Sequence, residues 1–406
     1  MTAPVPARWR AVSAAAGLIA PDGAVRPTIF AEMTALAQQT GAANLGQGFP
    51  DSDGPEWIRE AAVRAIREGA NQYPPGRGIP RLRAAIASHQ RRHYGLEVDP
   101  EREVLVTAGA TEALTAAILA LAGPGNEVVT LEPFYDSYAA CIALAGARHV
   151  TVPLVPGPEG FRLDVAALDA AVGERTRLIV VNTPHNPTGT VLTGSELARI
   201  AAAAVRADAV VVTDEVYEHL VFDGAAHMPL ATLPGMAERT LTVSSAGKTF
   251  SVTGWKVGWA SGPAELVEAV LAVKQYLTYS GGAPFQPAIA DALEAGDGEV
   301  AALRDSLRRR RDLLAAGLRD AGFETVVPQG TYFVCADAAA LPDGADGAEF
   351  ARSLPGRAGV ACVPVSAFCR AGSEAATALS SWARFTFVKD EPTLRTAIGR
   401  LLALRG

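Results

Sequence analysis

The sequence predicts an α/β protein. A mostly parallel central sheet flanked by helices is followed by a smaller α+β domain. Three observations carry this prediction. Five short apolar runs, each closed by a polar or glycine-rich loop, occupy the stretch from residue 104 to 250. They lack the alternation of a half-solvated strand, as strands buried on both faces do. Helical segments separate them, for example Glu112 to Leu121 ended by Gly123-Pro124, and such alternation implies right-handed crossovers in a parallel sheet. After about residue 290 the pattern shifts to a long helix (299–321), strand-like pieces at Tyr332-Phe333-Val334 and Arg384 to Val388, and a last helix carrying Leu394, Ile398, Leu401 and Leu402.

Before the first strand, Thr28 to Met33 begins a short helix, and Asn44 to Pro50 is a glycine-punctuated loop without dinucleotide spacing. Ile58, Ala62, Ala65 and Ile66 share one helical stripe. Asn71 to Gly76 is a proline-stiffened loop bearing the exposed aromatic Tyr73, and another helix runs through Leu82 and Ile86. The five strands then deliver, at their carboxyl ends, Thr107 to Thr111, Glu132 to Tyr135, Asn182 to Pro187, Asp214 to Tyr217, and Ser244 to Phe250. Ligands of open α/β sheets sit beyond those ends. Five chemically useful loops on one sheet edge therefore predict a site.

The last of these loops puts Lys248 among small and hydroxyl residues, and Lys256 follows beside Trp255 and Gly258. A lysine amine in such company can condense with an aldehyde, and a hydroxyl with a second cation suits a phosphate. Both features fit pyridoxal phosphate. Taken alone, the stretch also suits two surface lysines in a Ser/Gly loop.

Composition narrows the classes. The 406 residues are natural for two domains, and 49% apolar with 19% charged residues leaves ample core. A net charge of −7 argues against a general nucleic-acid binder. Arg308 to Arg311 read as the solvated face of the long helix, whose apolar face carries Val300, Leu303, Leu307, Leu314 and Leu318. The four cysteines show no metal spacing, so reduced thiols in a cytoplasmic setting are expected. His89 and His93 stand at i, i+4 but read as part of a surface helix, so no metal is expected. No apolar run is long enough to span a membrane. Residues 1–20 faintly resemble a signal peptide but read as a flexible N-terminal arm.

Ser245-Ala246-Gly247-Lys248-Thr249-Phe250 and Thr253-Gly254-Trp255-Lys256-Val257-Gly258-Trp259, with the strand-end loops in the same order, resemble the class I/II aminotransferases along nearly the whole chain. These are the fold-type I pyridoxal-phosphate enzymes. Those two motifs are similar to the kynurenine/glutamine branch. Lys274 to Pro287, Glu132 to Tyr138 and Asp214 to Phe222 resemble actinobacterial N-succinyldiaminopimelate aminotransferases.

The resemblance implies a role for each matching residue. Lys248 would condense with the cofactor aldehyde and, once freed, move the proton. Asp214 would keep the pyridine nitrogen protonated. Tyr217 and Asn186 would donate to the phenolic oxygen, and Tyr135 would stack on the ring. The backbone N–H groups of Ala110 and Thr111 would cradle the phosphate with Ser245 and Lys256, and Tyr73 would reach the phosphate of the neighbouring subunit of a homodimer. Arg384 would clamp the substrate carboxylate, beside Gly48, Asn186 and, at the entrance, Phe30. Singly, Asp214 reads equally as a helix N-cap, Arg384 as a strand-edge charge and Tyr135 as core.

The resemblance also implies cis bonds at Glu132–Pro133 and Asn186–Pro187. The expected division is 1–45 for the N-terminal arm and part of the small domain, 46–290 for the large cofactor-binding domain, and 291–406 for the small domain. The expected reaction moves an amino group from an L-amino acid to a 2-oxo acid such as 2-oxoglutarate. The favoured donor is N-succinyl-LL-diaminopimelate, a lysine-pathway metabolite, with Ser280, Gly281, Gly282 and a partner's Arg77 as candidates to read its distal end. A kynurenine, glutamine or methionine aminotransferase, or a carbon–sulfur β-lyase, is the alternative on the same scaffold. A transcription regulator would need a DNA-binding domain for which residues 1–28 are too few.

Overall fold

In the computed structural model, which describes residues 8–405, fourteen strands fall into three sheets. In chain order they are β1 (Ala43–Asn44), β2 (Val104–Ala108), β3 (Glu127–Glu132), β4 (Arg148–Gly157), β5 (Gly160–Leu163), β6 (Thr176–Asn182), β7 (Val210–Asp214), β8 (Thr240–Ser245), β9 (Val257–Ser261), β10 (Glu324–Val326), β11 (Phe333–Asp337), β12 (Val360–Ala361), β13 (Val363–Pro364) and β14 (Trp382–Thr386). The large sheet has eight strands in the order β2-β9-β8-β7-β6-β3-β4-β5. The neighbours β4, β3, β6, β7 and β8 pair in parallel, whereas β9 runs antiparallel between β2 and β8 and β5 folds back on β4.

The missing alternation has a direct cause. Successive strand residues point to opposite faces. Val128, Leu178, Val180 and Val212 enter one core, while Val129, Ile179, Val181 and Val211 enter the core on the other side. Each such side chain contributes about 1.5–3 kcal/mol when fully buried, so both faces select for Val, Ile and Leu.

The first helices are α1 (Arg8–Ala15), α2 (Ile29–Thr40), α3 (Glu56–Arg67), α4 (Pro80–Tyr94), α5 (Ala110–Leu121) and α6 (Ser137–Ala145). Thr28 caps α2 by accepting from Ala31 N–H, and Gly41 ends it in the left-handed conformation. β1 pairs in parallel with β12, bringing residues 43–44 beside 360–361. β10-β11-β14-β13 form a four-stranded antiparallel sheet. Its core includes Leu307, Leu314 and Leu318 of the long helix, which spans Gly298–Asp320, and Leu394 and Leu401 of the last helix.

Several expectations are corrected. β9 was not anticipated, because its sequence overlaps the second lysine motif. The N-terminal arm is not featureless: residues 8–15 form α1, which packs against α6, while residues 1–7 of that arm lie outside the described residues. The stripe of α3 ends at Ala65, since Ile66 is exposed. The run Arg308 to Arg311 is not wholly solvated. Arg311 is buried, ion-paired with Asp223 and Asp312, and donates to the Pro328 carbonyl at 3.1 Å. A buried arginine persists when its fork is satisfied. His89 is also buried, against His93 and His219, rather than on a solvated helix face.

The bonds Glu132–Pro133 and Asn186–Pro187 are cis, as expected, and so is Thr183–Pro184. Among the described residues no helix is long and apolar enough to cross a membrane.

Candidate active site

A cleft of about 360 Å³ opens at the carboxyl edge of the large sheet. Phe30, Gly48, Ala110, Thr111, Tyr135, Asn186, Asp214, Tyr217, Ser245, Lys248, Lys256 and Arg384 all line it. β2 leads to Ala110 and Thr111, β3 to Tyr135, β6 to Asn186, β7 to Asp214 and Tyr217, and β8 to Lys248. Tyr73 is the exception. It is 81% exposed, away from the cleft of its own chain, with its ring edge-on to Tyr279.

One end of the cleft is built from backbone. Gly109 precedes α5 at φ 77°, and no side chain caps that helix. The first N–H groups of an α-helix have no intrahelical acceptor and carry its positive end. Ala110 and Thr111 thus face the cleft with open donors. A Cβ on Gly258 would lie 2.5 Å from Gly109 C and 2.6 Å from Ala110 N, so only glycine permits this approach. Lys256 holds φ 54°, a left-handed conformation that costs a non-glycine residue roughly 1–2 kcal/mol. That conformation brings its Nζ to the mouth of the helix, 3.1 Å from where a Gly109 Cβ would stand. Ser245 immediately precedes the short helix Ala246–Thr249 but makes no side-chain cap, so its hydroxyl is spared for the cleft.

The floor is acidic. Asp214 is buried at the end of β7 and accepts from the Tyr138 hydroxyl at 2.5 Å. Burial pushes its carboxyl up to about 6, against the opposing pull of that hydrogen bond. A carboxylate in a dry pocket gains most from a cationic partner placed against it. Asn182 fixes the same floor: its Nδ2 donates to the Asp214 carbonyl at 2.7 Å, and its Oδ1 accepts from Asn186 N–H at 2.7 Å.

Lys248 Nζ donates to the Tyr332 hydroxyl at 2.7 Å, and Tyr332 in turn donates to the Gly48 carbonyl at 2.5 Å. Tyr217 packs edge-on against Tyr332, and burial drives its hydroxyl well above the ordinary range.

At the far end stands Arg384 of β14, only 1% exposed. Its Nη1 donates to Asn186 Oδ1 at 2.9 Å and its Nη2 to the Gly46 carbonyl at 3.0 Å. Its guanidinium lies over the Phe333 ring at 3.9 Å, with Phe30 and Phe368 around it. Burial lowers its pKa to about 10, yet the guanidinium stays charged at neutral pH. Among the described residues its Nε is buried without an acceptor. An unsatisfied buried donor on a cation costs more than a neutral one, so this fork is poised for an incoming carboxylate.

Tyr138, Asn182, Tyr332 and Phe333 were not singled out from the sequence. Tyr135 lies just before α6 and lines the cleft, whereas Tyr138, within α6, is turned by packing toward Asp214. Tyr332 meets Lys248 only through tertiary packing. Arg77 is engaged by Glu268 of its own chain.

The donor set fits pyridoxal phosphate. The glycine cradle at Gly109 and Gly258, the open helix end, Ser245 and Lys256 suit its phosphate; Asp214 suits its ring nitrogen; Lys248 suits its aldehyde. The family Aminotransferase class I and II matches residues 40–401. A probable N-succinyldiaminopimelate aminotransferase DapC of Mycobacterium tuberculosis is 59% identical over 381 residues, covering 93% of this chain and 96% of that protein. A methionine aminotransferase of Escherichia coli is 42% identical, covering 93% and 96%. The solved structure of the M. tuberculosis N-succinyldiaminopimelate aminotransferase superposes with a TM-score of 0.92 at 56% identity, over 99% of this chain and 100% of that one. The chain belongs to the class I and II aminotransferases, fold-type I enzymes that work with pyridoxal 5′-phosphate.

Proposed function

We propose that the cleft carries transamination from N-succinyl-LL-diaminopimelate to 2-oxoglutarate, in the lysine pathway. Bound pyridoxal phosphate supplies the aldehyde that takes up the amino group and the ring that accepts electrons from the substrate Cα. The residues do the rest. Lys248 Nζ would hold the aldehyde carbon and would accept and return the substrate Cα proton. Tyr332 and the Gly48 carbonyl would orient the free Lys248 amine. Asp214, oriented by Tyr138, holds a proton on the ring nitrogen. Asn186 and Tyr217 would donate to the ring oxygen, and Tyr135 would cover the ring face. Ala110, Thr111, Ser245 and Lys256 grip the phosphate. Arg384 takes the α-carboxylate, oriented by Asn186 and the Gly46 carbonyl, with Phe30 closing the entrance.

The observation that carries the reaction class is that Arg384, whose Nε has no partner among the described residues, shares one cleft with Lys248. The donor assignment rests on the similarity to the M. tuberculosis protein; Ser280, whose buried hydroxyl has no partner among the described residues, lies outside the residues that line the cleft of its own chain. Gly282 beside it adopts φ 66° and stands against Val257 of the cleft wall. Comparing kcat/KM for the succinylated donor with kynurenine, methionine and glutamine tests the assignment. A tenfold preference for any of those three, about 1.4 kcal/mol, overturns it in favour of the alternative aminotransferases.

We further propose a cytoplasmic homodimer with shared sites. Tyr73, Tyr276, Leu277 and Tyr279 are exposed apolar side chains, with Tyr73 edge-on to Tyr279, and exposed apolar side chains of this kind mark an association surface. In a mixed dimer, Tyr73→Phe on one chain should weaken cofactor binding only in the partner's cleft.

A further inference from the structure

Outside the cleft, three histidines meet. His89 and His93 stand one turn apart on α4 and so share a face. His219 comes to them from the turn after β7. The rings form a near-equilateral triangle, with centroids 4.5 Å (His89–His93), 4.9 Å (His89–His219) and 4.8 Å (His93–His219) apart. One ring nitrogen from each lies within 4.8 Å of the other two. His89 is buried and the other two are half-buried.

The hydrogen bonding of this group is incomplete. His89 Nε2 and His219 Nε2 share one bond at 2.7 Å. His89 Nδ1 is buried with no hydrogen-bond partner among the described residues, and His93 Nε2 is buried with no aligned hydrogen bond, its one polar contact being the carboxylate of Asp297. Buried ring nitrogens without partners are uncommon, because each forfeits its hydration. Two acidic groups stand close by. Asp297 Oδ1 is 3.3 Å from His93 Nε2. Glu218, the neighbour of His219, is buried and accepts from Tyr94 and Ser244.

We propose that His89, His93 and His219 bind one divalent transition-metal ion, of the zinc type, with Asp297 supplying a carboxylate beside it. Imidazole nitrogens suit Zn²⁺, Co²⁺ and Ni²⁺ and do not suit Mg²⁺ or Ca²⁺. Tetrahedral ligation at about 2.0–2.1 Å sets nitrogens roughly 3.3–3.4 Å apart. His89 and His219 must therefore part slightly, and the ion replaces the proton between them. The consequence for the enzyme lies in the turn itself. Residues 214–220 present Asp214 and Tyr217 to the cleft and His219 to α4. An ion pins that turn to α4.

The test uses cofactor-loaded protein dialysed against a chelator, titrated with Zn²⁺ and, for its visible spectrum, with Co²⁺. Wild type is expected to bind one ion per chain, to melt several degrees higher with it, and to give the intense visible bands of tetrahedral Co²⁺. His93→Gln and His219→Gln, both at half-buried positions, are expected to lose at least about tenfold in affinity and to lose those bands. His93→Cys, a ligand of another kind, is expected to restore binding with an added thiolate-to-Co²⁺ band. No saturable binding by wild type, or equal affinity in wild type and both glutamine variants, overturns the proposal; the latter would put the ion elsewhere on the chain.

Discussion

The two ends of the cleft are made differently. The phosphate end is backbone: a helix terminus, two glycines in forced approach, and a lysine held in a left-handed conformation. Its parts come from β2, β8, β9 and the loops between them, all in one sheet. The carboxylate end is side chains gathered from a distance. Arg384 meets Gly46 across 338 residues of sequence, and Tyr332 meets Gly48 across 284. The first end tolerates little change because backbone has nowhere to go. The second depends on two sheets keeping their mutual position.

Lys248 stands between the two ends, and its loss is the largest expected effect. Lys248→Ala should lower transamination by at least about four orders of magnitude, since both attachment and proton transfer are lost. Single-turnover absorbance with amino donor and folded-state circular dichroism measure it; near-wild-type turnover would remove Lys248 from the mechanism.

Arg384→Lys tests the distal end. A lysine keeps charge but loses the fork, so kcat/KM should fall about a hundredfold, mostly through KM, with cofactor affinity nearly unchanged. Equal losses in cofactor affinity would mean that the two ends are not separable.

A matched pair of glycines compares rigidity directly. A Cβ at Gly258 meets backbone atoms at 2.5 Å, whereas one at Gly48 meets the tip of the Phe333 ring at 2.7 Å. A ring can swing and a backbone turn cannot. Gly258→Ala should cost about 3 kcal/mol and Gly48→Ala about 1 kcal/mol in unfolding free energy. The first should loosen the cofactor and the second should raise KM. Equal costs in denaturant titrations would refute the contrast.

The smallest effect is a pH slope. In the cofactor-free protein, Asp214 titrates at about 6 instead of 3.8 because burial disfavours its charge. The folded state then binds the proton more tightly than the unfolded state. This contribution to stability is present below 3.8 and is lost as pH rises through about 6. The melting temperature of wild type relative to Asp214→Asn should therefore fall over that window. A flat difference would mean that Asp214 is not perturbed.

Much of this was legible in the sequence because it is local. The unalternating runs at 104, 128, 178, 210 and 241 require burial on both faces, and that alone implies helices on either side of a parallel sheet. Chemistry at strand ends follows from topology, so Ala110, Thr111, Tyr135, Asn186, Asp214, Tyr217, Ser245 and Lys248 could be expected at one sheet edge; Lys256 followed from the second lysine motif, and Phe30, Gly48 and Arg384 from the resemblance, and all twelve line one cleft. Tyr73 differs because its expected role lies across a subunit boundary, which a chain alone does not display.

What tertiary structure alone decided is pairing between distant segments. Tyr332 looks like any core tyrosine until the small sheet brings it to Lys248. Tyr138 is one of two tyrosines three residues apart, and only packing directs it to Asp214. Arg311 reads as a surface cation within a basic run, yet Asp223 and the Pro328 carbonyl, both on other segments, satisfy it in the interior. His89 and His93 read as a solvated pair because their spacing is that of any amphipathic helix, and His219 lies 126 residues beyond His93. Periodicity reports which face of an element is buried. Which polar groups meet inside is set by crossings between elements, and no local pattern in the chain encodes them.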